Sequence, residues 1–507
     1  MPFIDLNQDD LSTDKVYDVT IIGAGAAGIL LAVKLSEQGK SVLIIESGHF
    51  SIDEERQKLN NVTSTAKTLE NAVWGRKRAV GGTTLAWGGQ SLPFSLLDFE
   101  KKNWIKNSGW PVKYGELTEY YKEANRFMKI DTLDYREDIL PKIKLKDPGF
   151  DKKLVNYHVS KWANEPNFYK LYQKILEEKV TVLYNAVLYK INTAKQNATS
   201  IGIINFEKKQ FQLGVKQLII ATGGIESIRI VLLNQLSASQ WAGKCFMDHP
   251  CLDIGTIDTD NVYRLQRCFN THVWDGRKYS VRMSISDELQ REQQLLNCSA
   301  LLLFNRSKDA FDLYSEIYQF RRDKKLSRFF KILGRSPMLL KGLAAYLRHK
   351  FYYKINALPL LCMMVEQEPS TESCIGLSNE IDIFGLQKAN INWTISKRTW
   401  DTVIAVTETL KAELTKMGFG KLELFDNIRP DNPNWLDLLH DVNHHMGGLR
   451  MSTTPEGGVV DGELKLWNYN NIYVCSCAVF PTSSHSNPTL TMLALACRLV
   501  DKLASEK

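Results

Sequence analysis

The chain lacks the marks of a disulfide-bound or membrane-spanning protein. Nine cysteines are present, but none is spaced Cys-x-x-Cys. This argues against both a disulfide framework and a zinc site. Cys475 and Cys477 lie two apart on one expected strand and read as small buried residues rather than a redox pair. No stretch of 18 uncharged apolar residues occurs, so no spanning helix is expected. Residues 1–15 are polar and acidic, with no apolar segment of the kind a signal peptide needs. A cytoplasmic location with reduced thiols is the expectation. Internal repeats and low-complexity tracts are also absent. The net charge of +7 over 507 residues is small and uneven. Residues 321–354 hold eleven Lys and Arg against one acid, Asp323, so the rest of the chain is slightly acidic. Nucleic-acid binding by the whole protein is therefore not expected.

A dinucleotide fingerprint opens the informative part. Asp18-Val19-Thr20-Ile21-Ile22 reads as a buried parallel strand. Gly23-Ala24-Gly25-Ala26-Ala27-Gly28 follows directly, then a helix that Gly39 ends, then a second strand Ser41–Ile45 closed by Glu46. Gly23 suits the tight turn, Gly25 the approach of a pyrophosphate, and Gly28 close helix–strand packing. The helix N-terminus offers unpaired N–H groups to phosphates. Glu46 stands 18 residues after Gly28, near the spacing of about 20 expected for an acid on ribose hydroxyls. An acid there disfavours NADP and leaves FAD and NAD both open.

Further on, Val73–Gln90 is basic, then rich in glycine. Residues 131–165 read as surface loop. Phe168–Lys179 reads as a helix, and Val180–Leu183, Leu188–Ile191 and Val215–Ile220 as strands. Ala221-Thr222-Gly223-Gly224 repeats the strand–glycine–helix pattern and suggests a return to the nucleotide domain. Strand-like segments at Val281–Ile285, Ala300–Phe304, Leu360–Glu366 and Ala389–Trp393 point to a second sheet. They surround a basic amphipathic helical insertion. Such an insertion suits membrane-surface or protein docking, or is simply a solvated basic face.

More than 400 residues after the fingerprint come Asn443-His444-His445-Met446-Gly447-Gly448 and Phe480-Pro481-Thr482-Ser483-Ser484-His485-Ser486-Asn487-Pro488-Thr489. The order of GAGAAG, VGGTTLAWGG, SGWP, ATGGIES, MDHP, HHMGGLRM and VFPTSSHSNPTLT resembles the glucose–methanol–choline (GMC) family of FAD-dependent oxidoreductases. The resemblance spans nearly the whole chain and lies nearest the pyranose-oxidase and sugar-dehydrogenase branch.

The resemblance implies an α/β fold. A Rossmann-like FAD-binding domain spans 14–250, with the flavin loop at 73–111. A substrate-binding α+β domain built on a β-sheet spans 251–438, with the basic insertion at 315–356. Residues 439–507 return to the FAD domain. It implies FAD at Gly23, Gly25, Gly28, Glu46, Gly81, Gly82, Thr84, Trp87, Thr222, Gly223, Cys477, Ala478, Pro488 and Thr489, with Asp461 near the flavin tail. Some relatives attach FAD through a His before the Trp of this loop. Ala86 occupies that position here, so non-covalent FAD is expected. The catalytic pair maps to His445, as base, and Asn487. His444 and His485 are the competing candidates, and His249 carries no assigned role. The implied chemistry oxidises an alcohol on a sugar, glycoside or cyclic polyol, with hydride passing to flavin N5. The electron acceptor is O₂ or another molecule. Gln367 and Asn392 are candidate substrate walls. Alternative readings are a docked dehydrogenase subunit that passes electrons onward, and an FAD lyase or isomerase with transient oxidation.

Overall fold

In the computed structural model, which describes residues 3–9, 11, 13–136, 139–304, 316, 317, 319, 320, 324–334, 336–354 and 356–505, the fingerprint folds as the pattern predicts. The strands Tyr17–Ile22 and Val42–Ile45 pair in parallel, with helix Ala26–Glu37 between them. Their continuous apolar runs reflect burial on both faces. They lie inside an eight-stranded sheet ordered Phe3–Asp5, Val180–Tyr184, Val42–Ile45, Tyr17–Ile22, Gln210–Ile220, Asn197–Ile204 and Val187–Ala194. The eighth strand, Ile472–Val474, comes from the far end of the chain and pairs in parallel with Gln210–Ile220. Helix Thr489–Ser505 then packs on Ala26–Glu37. The C-terminal motifs thereby reach the nucleotide turn.

The second sheet runs Lys421–Leu424, Cys251–Asp258, Leu360–Val365, Cys298–Leu303, Arg277–Ile285, Val155–Trp162 and Gln90–Ser91, with His272–Trp274 paired to Arg277–Ile285. One face is covered by the helix Lys397–Lys416, which the sequence reading did not single out. Its Trp400, Val403, Val406 and Leu410 share a core with Leu361 and Met363. A three-stranded sheet joins Cys374–Ile381, Gln387–Asn392 and Val62–Ser64.

The structure departs from the expected arrangement in three places. Residues 131–165 are not all loop, because Val155–Trp162 is a strand paired along its length with Arg277–Ile285. Val155, Tyr157 and Val159 face the second core, while the residues between them face away, a period of two. The expected domain ranges are also interleaved. The range 14–250 lends Gln90–Ser91 and Val155–Trp162 to the second sheet. The segment Ala389–Trp393, expected in that sheet, instead joins Val62–Ser64 in the small one. The basic insertion contains the helices Leu326–Leu333 and Ser336–His349, while residues 305–315, 318, 321–323, 335 and 355 of this region lie outside the described residues.

Gly28 shows how tightly the nucleotide turn is built. A Cβ there would sit 1.9 Å from the carbonyl oxygen of Gly23. Gly28→Ala should therefore cost about 1–3 kcal/mol of stability, the range for overpacking. A lower thermal midpoint together with lost flavin absorbance would be the readout, and an unchanged protein would contradict it.

Candidate active site

The cleft begins at this turn. Gly23 has φ +101°, and nothing lies within 4 Å of where a Cβ on Gly25 would stand. Gly82, at φ +55°, brings the 81–87 loop onto this floor, where its own Cβ would come within 2.8 Å of Gly25 Cα. The Gly81 N–H donates to the Ala24 carbonyl at 2.9 Å. On the opposite wall, Gly223 also leaves open space where a Cβ would be. Ordinary residues at Gly25 and Gly223 would project into the cleft, so these glycines leave a cradle shaped for a ligand that presses on backbone. The helices starting at Ala26 and Thr489 both point their N-termini at it, a field that favours phosphate.

Glu46 closes the inner end. Its Oε2 accepts the Ala24 N–H and its Oε1 the Gly48 N–H, each at 2.8 Å. Oε1 also accepts from Ser47 Oγ at 3.3 Å, so the further lone pair for a ribose hydroxyl is on Oε2. Burial pushes this carboxyl up, while the two N–H donors and nearby Arg78 pull it down. Arg78 reaches Ser47 Oγ at 3.0 Å and Glu226 Oε2 at 2.9 Å. Glu226 is buried, yet Arg78 and Arg229 hold its carboxyl below the usual range. Arg76, also in the lining, is pulled down to about 9 by burial and by Arg78. In the sequence only a basic stretch is visible at 76–78, because Glu226 is distant from it.

The cleft lining brings together Gly23, Gly25, Glu46, Gly82, Thr84, Trp87, Thr222, Gly223, Cys477, Pro488 and Thr489. Gly28, Gly81 and Ala478 support it from behind. Thr84 is engaged within the protein, donating to the Gly81 carbonyl at 2.6 Å and accepting the Phe168 N–H at 3.2 Å. Trp87 is held by its Nε1 on the Pro166 carbonyl at 2.8 Å. Asp461 caps its own turn, accepting from the Glu463 and Lys465 N–H groups at 2.9 Å, and is not in the lining. The residues present thus fit a dinucleotide cofactor.

At the outer end, the turn 443–448 crosses Met247–His249. Met446 and Met247 exchange backbone hydrogen bonds, and a Cβ on Gly447 would lie 2.0 Å from the Cys245 carbonyl. Asp248 accepts the N–H groups of His249, Val442 and His444 and so fixes the turn. This sets up a chain of side chains. His249 Nε2 lies 3.0 Å from the Ser483 carbonyl, and His249 Nδ1 lies 2.9 Å from His444 Nδ1. His444 Nε2 lies 3.2 Å from Asn487 Nδ2, and Asn487 Oδ1 accepts from Arg282 Nη2 at 3.2 Å.

The protons in this chain can be placed from both ends. A carbonyl only accepts, so His249 carries its proton on Nε2 and its Nδ1 is a lone pair. His444 must then donate from Nδ1, which leaves a lone pair on Nε2. From the other end, arginine only donates, so Asn487 Oδ1 faces Arg282 and its NH₂ faces His444. His444 Nε2 must accept. Both ends assign the same tautomers.

Burial lowers all these histidines. His249 falls to about 4, and His444 falls well below its ordinary value, with His249 and Arg282 adding to the effect. Both are neutral at pH 7. Burial brings Arg282 down to about 10, which leaves it charged.

His445, favoured from the sequence register, occupies a different place. It lines the cleft, but its ring lies along Phe246 and its Nε2 is 3.7 Å from Asp248 Oδ2, with no hydrogen bond. Burial and Arg76 take it down to about 3. Burial and Asp441 raise Asp248 to about 8, so this contact joins two neutral groups. The geometry thus pairs Asn487 with His444. Adjacent histidines cannot be separated by glycine spacing alone, and the partner of Asn487 is the one in the alternative register. His485 turns elsewhere, its ring 5.5 Å from His158. Neither expected substrate wall faces the pair. Gln367 Oε1 accepts from the Asp248 N–H at 3.0 Å and from Trp393 Nε1 at 2.8 Å, and Asn392 donates to the Glu372 carbonyl at 2.7 Å. Arg282 and Gln90, which meet at 3.2 Å, fill that position from the second sheet. Among the described residues, no cluster of three His, Cys, Asp or Glu side chains is placed to hold a metal ion.

Comparison with known proteins agrees with this architecture. Residues 369–496 match the GMC oxidoreductase C-terminal model, and residues 17–244 match the pyridine nucleotide-disulphide oxidoreductase model. The large subunit of fructose dehydrogenase from Gluconobacter japonicus is 21% identical over 96% of this chain and 98% of its own. The 6'''-hydroxyparomomycin C oxidase of Streptomyces lividus is 32% identical over 23% of each chain. A formate oxidase variant from Aspergillus oryzae RIB40 superposes with a TM-score of 0.60 at 14% identity, covering 98% of this chain and 99% of that one.

Asp248 makes stability depend on pH. Its folded value of about 8 lies above its unfolded value of 3.8, so the native state binds the extra proton between them. Stability from this group is full below pH 3.8 and is lost as pH rises toward about 8. Asp248→Asn should remove that slope. Its thermal midpoint relative to the parent should rise steadily across this window, and a constant difference would refute the assignment.

Proposed function

We propose, from the chain's membership of the GMC family of FAD-dependent oxidoreductases, that it oxidises an alcohol on a sugar, glycoside or cyclic polyol, with His444 as the base. FAD dependence and action on CH–OH groups follow from the family. The substrate class is supported by the names of its relatives, a fructose dehydrogenase and an aminoglycoside oxidase. The single observation that carries the base assignment is the chain Ser483–His249–His444–Asn487–Arg282, which makes His444 Nε2, in the cleft lining, an obligate acceptor whose one lone pair is held by Asn487 Nδ2 until a substrate hydroxyl takes that place.

FAD, when bound, supplies the two-electron acceptor. The protein supplies the rest. Gly25, Gly82 and Gly223 admit the cofactor against backbone, and Glu46 receives its ribose. His444 Nε2 takes the hydroxyl proton as the C–H bond breaks. A lowered basicity keeps it in the accepting form at neutral pH. Asn487 Nδ2 holds the substrate oxygen beside it, and charged Arg282 favours negative charge developing there. No nucleophile stands at Ala86, which supports non-covalent FAD. The nine free cysteines suit a cytoplasmic location.

His444→Ala should retain FAD and slow anaerobic flavin bleaching by substrate about 10²–10⁴-fold, the usual worth of a general base. His445→Ala should bleach within about tenfold of the parent. The reverse order would restore His445 as the base.

The rate should also hold on the acid side. Because His444 protonates well below 6.5, kcat/KM should stay level down through pH 6. A fall centred on 6.5 would contradict a base so deeply buried.

A further inference from the structure

The insertion between the strands Cys298–Leu303 and Leu360–Val365 is not used by the cleft. Its far end is clamped to the body. Val273 N–H donates to the Lys350 carbonyl at 2.6 Å, Asn270 Nδ2 to the Tyr352 carbonyl at 2.6 Å, and Gln266 Nε2 to the Lys354 carbonyl at 2.6 Å. Beyond this clamp, two helices turn apolar side chains to solvent. Helix Leu326–Leu333 buries none of its residues, and Leu326, Phe330 and Leu333 are 69%, 60% and 55% exposed. They recur at i, i+4 and i+7, one face of a helix. On helix Ser336–His349, Leu340, Leu343 and Leu347, at i, i+3 and i+7, form a second exposed stripe on one helix face. A soluble domain rarely leaves such a surface bare without a use for it.

The second observation is charge. Leu347 also borders a cavity of about 330 Å³ at the foot of the helix, lined by Lys144, Lys146, Arg264, Arg267, Arg348 and Lys350 and by one acid, Asp147. These cations come from three separate parts of the chain. The apolar stripe and the basic cavity therefore meet at one residue.

We propose that this face docks the protein on an anionic phospholipid bilayer. The leucine and phenylalanine stripes enter the acyl boundary, and the cavity receives headgroup phosphate. A bilayer offers an apolar layer beneath a negative surface, and this face presents the matching pair. A second copy of the chain would bring two basic faces together and is disfavoured. Among the described residues no helix is long and apolar enough to cross a membrane, so the contact is peripheral.

The test is sedimentation of the full-length, FAD-loaded protein with phosphatidylcholine–phosphatidylglycerol vesicles and with pure phosphatidylcholine vesicles. Binding should be confined to the anionic vesicles and should be reversed by salt. Phe330→Ser with Leu340→Ser, and separately Arg348→Glu with Lys341→Glu, an exposed lysine next to Leu340 on the same helix, should each weaken it by about tenfold or more. Flavin content and thermal midpoint should not change, because all four side chains are at the surface. Equal binding to both vesicle types, or full binding by both double variants, would overturn the proposal. So would failure to bind either vesicle, which would make a protein the occupant of this face.

Discussion

The site depends on a hydrogen-bond chain whose two ends permit only one direction. At one end is the Ser483 carbonyl, which cannot donate, and at the other is the Arg282 guanidinium, which cannot accept. Between them His249, His444 and Asn487 have no freedom in where their protons sit. A neutral imidazole in isolation divides its proton between two nitrogens. Here the proton of His444 is placed on the side of His249, so the accepting nitrogen always faces Asn487. This arrangement needs no charge on any histidine, which suits a region where burial strongly disfavours charge.

The members of this chain come from four distant parts of the sequence, and the fold explains why they meet. Ile472–Val474 enters the nucleotide sheet beside Gln210–Ile220, which carries the following segment past the cleft and into helix Thr489–Ser505. The turn 443–448 is tied on one side to Met247 and on the other to Cys477 and Ala478 through Gly447 and Leu449. Arg282 arrives on a central strand of the second sheet, opposite His158 in register. The nucleotide domain and the segments tied to it thus contribute His249, His444 and Asn487, while the second sheet contributes Arg282.

What could be read in the sequence follows from how local each feature is. The unit from Tyr17 to Glu46 is contiguous, and its turn, helix and acid lie at spacings that backbone geometry dictates, so its elements and their order were legible in the sequence. The flavin loop and the Asn-Pro helix start were legible for the same reason. The choice between His444 and His445 was not, since it turns on side-chain direction within a turn whose path Asp248 sets from 196 residues away. Arg282 and Gln90 were invisible because strand pairing, not spacing, brings them to Asn487. The strand Val155–Trp162 did carry its alternation, but in a polar segment whose outward residues disguised it. Gln367 looked like a substrate contact by type, and its amide is instead spent on Asp248 and Trp393.

The segment Thr482–Ser486 raises a last point. Five polar residues in a row are buried, an arrangement that costs desolvation unless each group finds a partner. Ser484 Oγ donates to Asp98 at 2.7 Å, Thr482 Oγ to the Asp98 carbonyl at 3.0 Å, and the Gln367 N–H to Ser483 Oγ at 2.9 Å. Behind them Lys102 pairs with Glu366 at 3.0 Å, both fully buried. A leucine-rich packing would stabilise the same space more simply, since buried ion pairs often contribute little net stability. What the polar network provides is position. Tied at three successive residues to partners of fixed geometry, the backbone at Ser483 has little room to rotate, so its carbonyl stays aimed at His249. The tautomer of His444 is therefore set by a buried network on the opposite side of the chain from the cleft. The polarity of the motif is explained by this task of aiming a single carbonyl, with no requirement that its hydroxyls touch substrate.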